Sequence, residues 1–205
     1  MAILPIDSGR YGTKEMLEIF GEQKKVDYQL QIEAAAALSQ SEINLIPKSI
    51  AKDIAKAARS GKITAKRIKQ LEAKSDHDTA ALVESLAERC RKESRPWIHY
   101  GLTSNDLVDT SNSMQMRDAI KIILPKVGKL ALLLSKNAVK YKVLPAVGRT
   151  HGQHASIISF GLKFANWASE MATHLERLDE IKKRILICKT LGVVGTGSLM
   201  GKDAV

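Results

Sequence analysis

The sequence predicts an all-α protein, a small helical domain of short pieces followed by the first long helices of an elongated helical bundle. Three observations carry this expectation. Apolar residues make up 44% of the 205-residue chain but aromatic residues only 4%, a balance that suits packed helices because strands favour aromatic and β-branched side chains. Apolar positions recur three and four residues apart along most of the chain. Two periodic stretches, 105–142 and the run that ends near 185, are too long for ordinary globular helices and point to bundle packing.

Residues 13–40, 49–60 and 64–74 read as helices. Ile50 and Ile54, then Ile68 and Leu71, fall at helical spacing, and Pro47 and Gly61 punctuate the segments. From 78 to 92, Leu82, Leu86 and Cys90 repeat every fourth residue, with Asp78 placed to cap the helix start. Residues 94–104 lose this period at Pro96 and Gly101 and are expected to form a loop or extended connector. The next stretch carries Leu107, Met114, Ile122, Ile123, Leu130, Leu134 and Tyr141, and Pro125 is expected to kink or divide it.

A second break covers 145–152, after which Ser156 is the expected cap of another long helix. In that helix Phe160, Phe164, Trp167, Met171, Leu175, Leu178, Ile181 and Ile185 step by three or four, close to heptad spacing. This stripe reads as core packing, not as a cofactor box. The glycine-rich segment 192–198 lacks the Gly-Lys-Ser/Thr ending of a P-loop and follows a helix, so it reads as a turn leading into further structure. The expected domains are 1–106, an N-terminal helical domain, and 107–205, the incomplete start of a central helical-bundle domain.

The formal net charge of +10 attracts anions. The lysines are spread over every helical segment without aromatic interleaving, which marks solvated faces more than a nucleic-acid surface. An anionic small substrate uses the same field. Cys90 and Cys188 form no Cys-x-x-Cys pair and are too few for a disulfide scaffold, which fits a reducing cytoplasm. No run reaches the roughly 18 apolar residues of a membrane span, and residues 1–12 hold no apolar signal segment. A soluble cytoplasmic protein is expected.

Four of the five histidines lie at breaks: His77, His99, His151 and His154. His174 sits within a bundle helix. Clustered beside Thr, Ser, Asn, Asp and Arg, the four suggest a site that gives and takes protons, since imidazoles titrate near neutral pH. Metal binding through His151 and His154, three residues apart, is a rival, but neither His-Glu-x-x-His nor cysteine-rich spacing occurs, and no metal or cofactor is expected. There is no Gly-x-Ser-x-Gly elbow for a serine triad.

Two of these breaks are specific. His99-Tyr100-Gly101-Leu102-Thr103-Ser104-Asn105-Asp106, with Asp109-Thr110 beyond, and Gly148-Arg149-Thr150-His151-Gly152-Gln153-His154-Ala155 resemble the first two signature regions of the adenylosuccinate lyases in the fumarase/aspartase superfamily. Arg10-Tyr11 and His77-Asp78 match further family positions in order, so the resemblance spans nearly the whole chain.

The resemblance implies anti β-elimination that releases fumarate from adenylosuccinate, giving AMP, and from the succinylated aminoimidazole carboxamide ribotide of purine synthesis. It implies that His151 is the general acid and that His77 assists. Asp76, Asp78, His99, Thr103, Ser104 and Thr150 are implied around the substrate, with Arg10 and Tyr11 at its phosphate end. It also implies a homotetramer whose active sites each draw on three chains. The family's base, a serine on a loop of the type Ser-Ser-x-Met-Pro-x-Lys-x-Asn, has no counterpart in this sequence. The chain therefore reads as an N-terminal fragment, expected to be inactive alone. The alternatives are another superfamily lyase or cycloisomerase and, from a different class, a basic helical module that binds nucleic acid or a protein partner.

Overall fold

The structure, a computed structural model, describes residues 9–200. Its elements are α1 (Lys14–Ile19), α2 (Glu22–Glu42), α3 (Lys48–Ala58), α4 (Ala65–Ser75), α5 (Asp78–Ala87), a 3-10 turn (Lys92–Trp97), α6 (Ser104–Lys140), β1 (Pro145–Thr150), β2 (Gln153–Ser159) and α7 (Phe160–Ile185). The described residues form two compact units, 9–116 with 187–200, and 117–186.

The first unit is built around α2. The helix expected over 13–40 is two helices: Thr13 Oγ1 accepts from the Met16 N–H to start α1, and Gly21 turns extended to start α2. A Cβ on Gly21 would lie 3.2 Å from the Leu17 carbonyl oxygen, a tight contact at this corner. Residues Tyr28, Gln29, Leu30, Ile32, Glu33 and Ala34 of α2 are all buried, while Gln31, Ala35 and Ser39 leave one face of the helix exposed. The same core holds Ile50, Ala51 and Ile54 of α3, Ile68 and Leu71 of α4, Leu82 and Leu86 of α5, and Leu107 of α6. Each large side chain so covered contributes about 1.5–3 kcal/mol of burial.

The segment after α7 folds back onto this unit. Thr110 Oγ1 accepts from the Lys189 N–H at 2.9 Å, Asp106 Oδ2 accepts from the Gly192 N–H at 2.9 Å, and Met200 is buried in the core. Gly192 has φ +74, and a Cβ there would lie 2.9 Å from the Gly101 carbonyl oxygen. The glycine expected to open a turn thus also permits a close backbone approach.

The second unit pairs the later part of α6 with β1, β2 and α7. Of the two expectations for Pro125, a kink or a division, the structure answers the second: α6 runs through Pro125 as one helix. Pro125 and Lys121 are both exposed, so the carbonyl that loses its helical partner belongs to a residue on the solvent side of the helix. The break at 145–152 also differs from expectation, being part of an antiparallel hairpin from Pro145↔Ser159 to Thr150↔Gln153 with one irregularity at Gly148/Arg149. Its tip, His151 (φ +51) and Gly152 (φ +75), has the two positive φ angles of a two-residue hairpin turn.

Consequently Ser156 lies in β2, and the cap of α7 is Ser159, whose Oγ accepts from the Gly161 N–H at 3.1 Å and donates to the Lys142 carbonyl at 2.7 Å. Gly161 meets the end of α6 closely, since a Cβ would sit 2.4 Å from the Ala138 carbonyl oxygen. Tyr141, Phe160, Phe164 and Trp167 stack around this corner with ring centroids 5.4–5.9 Å apart. Among the described residues no helix is long and apolar enough to cross a membrane.

Candidate active site

In the first unit, the start of α5 and the loop before α6 border an open cavity of about 320 Å³ lined by His77, Thr79, Ala80, Val83, His99, Leu102, Thr103 and Ser104. Four of the residues singled out from the sequence therefore share one space. Each is held there by a local device.

Asp76 ends α4 in the left-handed conformation, φ +51, and delivers His77 as the extended residue before α5. The cap is His77, not Asp78 as expected: its Nδ1 accepts from the Ala80 N–H at 3.3 Å. Asp78 begins the helix proper, and its Oδ1 accepts from the Thr79 N–H at 2.7 Å. Asp78 Oδ1 is 3.7 Å from His77 Nδ1. With Nδ1 committed to a backbone donor, the ring proton of neutral His77 resides on Nε2, and Ala80 rather than Asp78 fixes that tautomer.

His99 is held from below by α2. It takes φ +61, its backbone N–H donates to Glu33 Oε2 at 3.1 Å, and its Nδ1 lies 2.6 Å from Glu33 Oε1. Two turns further along α2, Gln40 Nε2 donates to the Tyr100 carbonyl at 2.7 Å. Glu33 and Gln40 are both buried. Spaced seven apart they share one helix face, and together they clamp the loop that presents His99.

Thr103 and Ser104 could have been mere helix caps. That work falls to Asp106, whose Oδ2 accepts from the Thr103 N–H at 3.0 Å and from Gly192. Neither hydroxyl is spent on a protein hydrogen bond among the described residues, which leaves both, at the positive end of α6, free for an anionic ligand.

The remaining candidates lie elsewhere. Thr150 closes β1 and His151 sits exposed at the hairpin tip, both in the second unit. Arg10 and Tyr11 are exposed before α1, the Arg10 Cζ 5.4 Å from the Tyr11 ring centroid, and do not line the cavity. Glu33 was missed by sequence reasoning. Its signal was a carboxylate embedded in the apolar run from Leu30 to Leu38, where an unpaired charge would be costly. Among the described residues no group of three or more His, Cys, Asp or Glu is arranged to hold a metal ion.

The adenylosuccinate lyase of Methanocaldococcus jannaschii is 44% identical over 98% of this chain and 44% of its own length. That of Methanothermobacter thermautotrophicus is 39% identical over 99% of this chain and 45% of its own. The chain thus spans about half the length of the curated relatives it matches. The crystal structure of a fumarate lyase from Mesorhizobium sp. BNC1 superposes with a TM-score of 0.87 at 30% identity, over 95% of this chain and 47% of that one. The family model described as "Lyase" matches residues 9–204, a span that holds both signature segments and the cavity, and the chain belongs to that lyase family.

Proposed function

We propose that the chain serves an adenylosuccinate lyase that eliminates fumarate from adenylosuccinate and from the succinylated aminoimidazole carboxamide ribotide. The reading is carried by the donor-rich cavity of His77, His99, Thr103 and Ser104, in a chain so similar to adenylosuccinate lyases. In the reaction a base takes the carbon-bound proton beside a succinyl carboxylate. The electron pair passes into an aci-carboxylate, the C–N bond breaks with formation of the fumarate double bond, and an acid protonates the departing nitrogen.

Thr103, Ser104 and the start of α6 are assigned to the charge that builds on the carboxylate. Thr150 assists them, His77 and His99 orient the substrate, and Asp76 and Asp78 set the chain around His77. Arg10 and Tyr11 take the phosphate end, where a guanidinium forms paired charge-assisted bonds. His151 is assigned as the acid.

The exposed hairpin that carries His151 suits a site completed between subunits of a cytoplasmic homotetramer. No cofactor enters the scheme. The 205 residues contain no serine loop of the family type for the base, so turnover is assigned to a chain of the relatives' length, and the 205 residues alone are expected to release no fumarate.

The decisive comparison is fumarate release by a chain extended to that length, with and without His151→Ala. Loss of an acid lowers kcat by roughly 10²- to 10⁴-fold, with nucleotide binding partly retained. An extended chain that releases no fumarate, or a variant that keeps full turnover, defeats the proposal. The likeness to a fumarate lyase favours a second reading, another lyase of the same superfamily, and a panel of succinyl and carboxymuconate substrates separates the two.

A further inference from the structure

Glu33 has no place in the scheme above, yet it is a deeply buried carboxylate that touches one of the cavity's two histidines. Its side chain is 2% exposed, and both oxygens are spent on one residue, Oε2 on the His99 N–H and Oε1 on the His99 Nδ1. An ionised carboxylate only accepts hydrogen bonds, so against ionised Glu33 the Nδ1 at 2.6 Å is the ring nitrogen that carries the proton. Neutral His99 is then left with a lone pair on Nε2. His77 has the opposite arrangement, because its Nδ1 accepts from the Ala80 N–H and its proton is on Nε2.

We propose that Glu33 is a positioning residue that fixes His99 in the Nδ1–H tautomer. The cavity then presents one histidine as a hydrogen-bond donor and the other as an acceptor. This rests on reading the cavity as the ligand site, and it adds a specificity element to it. A ligand edge with an acceptor beside a hydroxyl or amine donor satisfies both rings, whereas an edge carrying acceptors alone satisfies only His77. The backbone contact makes the device rigid, because Glu33 also holds the left-handed φ of +61 from which the His99 ring projects.

The tautomers are read directly by long-range ¹H–¹⁵N correlation NMR of the histidine-labelled 205-residue chain, above the pH at which the imidazoles titrate. The chain has five histidines, and His99→Gln and His77→Gln assign two of them by loss of signal. In the unsubstituted chain the unprotonated nitrogen is expected to be Nε2 in His99 and Nδ1 in His77.

Glu33→Gln supplies the second arm. Its amide oxygen keeps the His99 N–H, and its NH₂ then faces Nδ1, so the unprotonated nitrogen of His99 is expected to move from Nε2 to Nδ1 while His77 stays as it was. A role in packing alone leaves the tautomer unmoved. An Nε2–H tautomer for His99 in the unsubstituted chain overturns the proposal even if Glu33→Gln fails to fold, and so does a folded Glu33→Gln with His99 unchanged. Neither readout depends on fumarate release, so a failure of the lyase assignment is distinguishable from a failure here.

Discussion

The two units of the molecule read alike in sequence and differ in what covers them. In the first, Ile54, Leu82 and Leu107 are at most 1% exposed. In the second, only Gly161 of α7 is buried, and Leu133, Ile157 and Trp167 are half or more exposed. Apolar periodicity therefore specifies which face of a helix is apolar and leaves open what lies against it. The first unit supplies its own cover from α2, α3, α4 and α5. For the stripe on α7, cover from other chains is the proposed answer.

The sharpest way to break this contrast is truncation on both sides of it. Leu82→Ala or Leu107→Ala is expected to cost about 2–5 kcal/mol, the transfer and cavity terms of a closed core. Trp167→Ala or Leu133→Ala in the same 205-residue chain is expected to stay within about 0.5 kcal/mol. Urea unfolding followed by circular dichroism reads both, and comparable losses in the two units would erase the distinction.

Exposed apolar surface on this scale promotes association. The chain is expected to scatter light as species heavier than 22.5 kDa, and Leu133→Glu with Trp167→Glu is expected to move it toward the monomer without loss of helix. A compact monomer of the unsubstituted chain at micromolar concentration counts against an uncovered stripe.

The cysteines sharpen the comparison within the first unit. Burial, reinforced by the Asp53 charge, pushes the Cys90 thiol up to about 11, whereas Cys188 is exposed. The thiolate is the reactive form. A disulfide reagent at pH 8 is therefore expected to modify Cys188 quickly and Cys90 only as the core opens, so the slow phase should accelerate with Leu82→Ala. Equal rates for the two thiols in the native chain would place Cys90 outside the core.

The same division explains what was legible in the sequence. Helices α3, α4 and α5 were readable because Ile50 and Ile54, Ile68 and Leu71, and Leu82 and Leu86 bury faces whose spacing is local. The hairpin was not, because its marker is a His-Gly turn in place of Asn-Gly, and its strands 145–150 and 153–159 are exposed over most of their length and lack a strong alternation of apolar and polar residues. For the site, the wording of 99–106 pointed to His99, Thr103 and Ser104, and their meeting with His77 in one cavity follows from how α5 is placed. Glu33 stayed hidden because its contact spans 66 residues, and no local pattern encodes a partner at that distance. The Asp78 reading failed for a narrower reason: a histidine can cap through Nδ1, and the sequence put the usual capping carboxylate immediately after it.

The smallest expected effect is electrostatic, and it separates tertiary from local pairing. Glu88 of the first unit is held below its usual 4.5 first by its hydrogen bond from Arg67, with desolvation opposing. The pair joins α4 to the turn after α5, with Arg67 Nε 3.2 Å from Glu88 Oε2. Asp179 of α7 is likewise lowered, first by its hydrogen bond from Lys182 three residues on. For both carboxylates the folded value lies below the unfolded one, so the stabilisation is present above the unfolded value and fades as pH falls through the folded one. Only the Arg67 pair bridges elements that separate when the core unfolds. Arg67→Ala is therefore expected to lower the stability of the first unit slightly at pH 7, as for other exposed pairs, and not at all at a pH below the folded value of Glu88. Lys182→Ala, which loosens a contact within one helical turn, is expected to leave that transition in place at either pH. An Arg67→Ala loss that persists undiminished in acid would assign the contribution of Arg67 to the packing of its side chain and not to its charge.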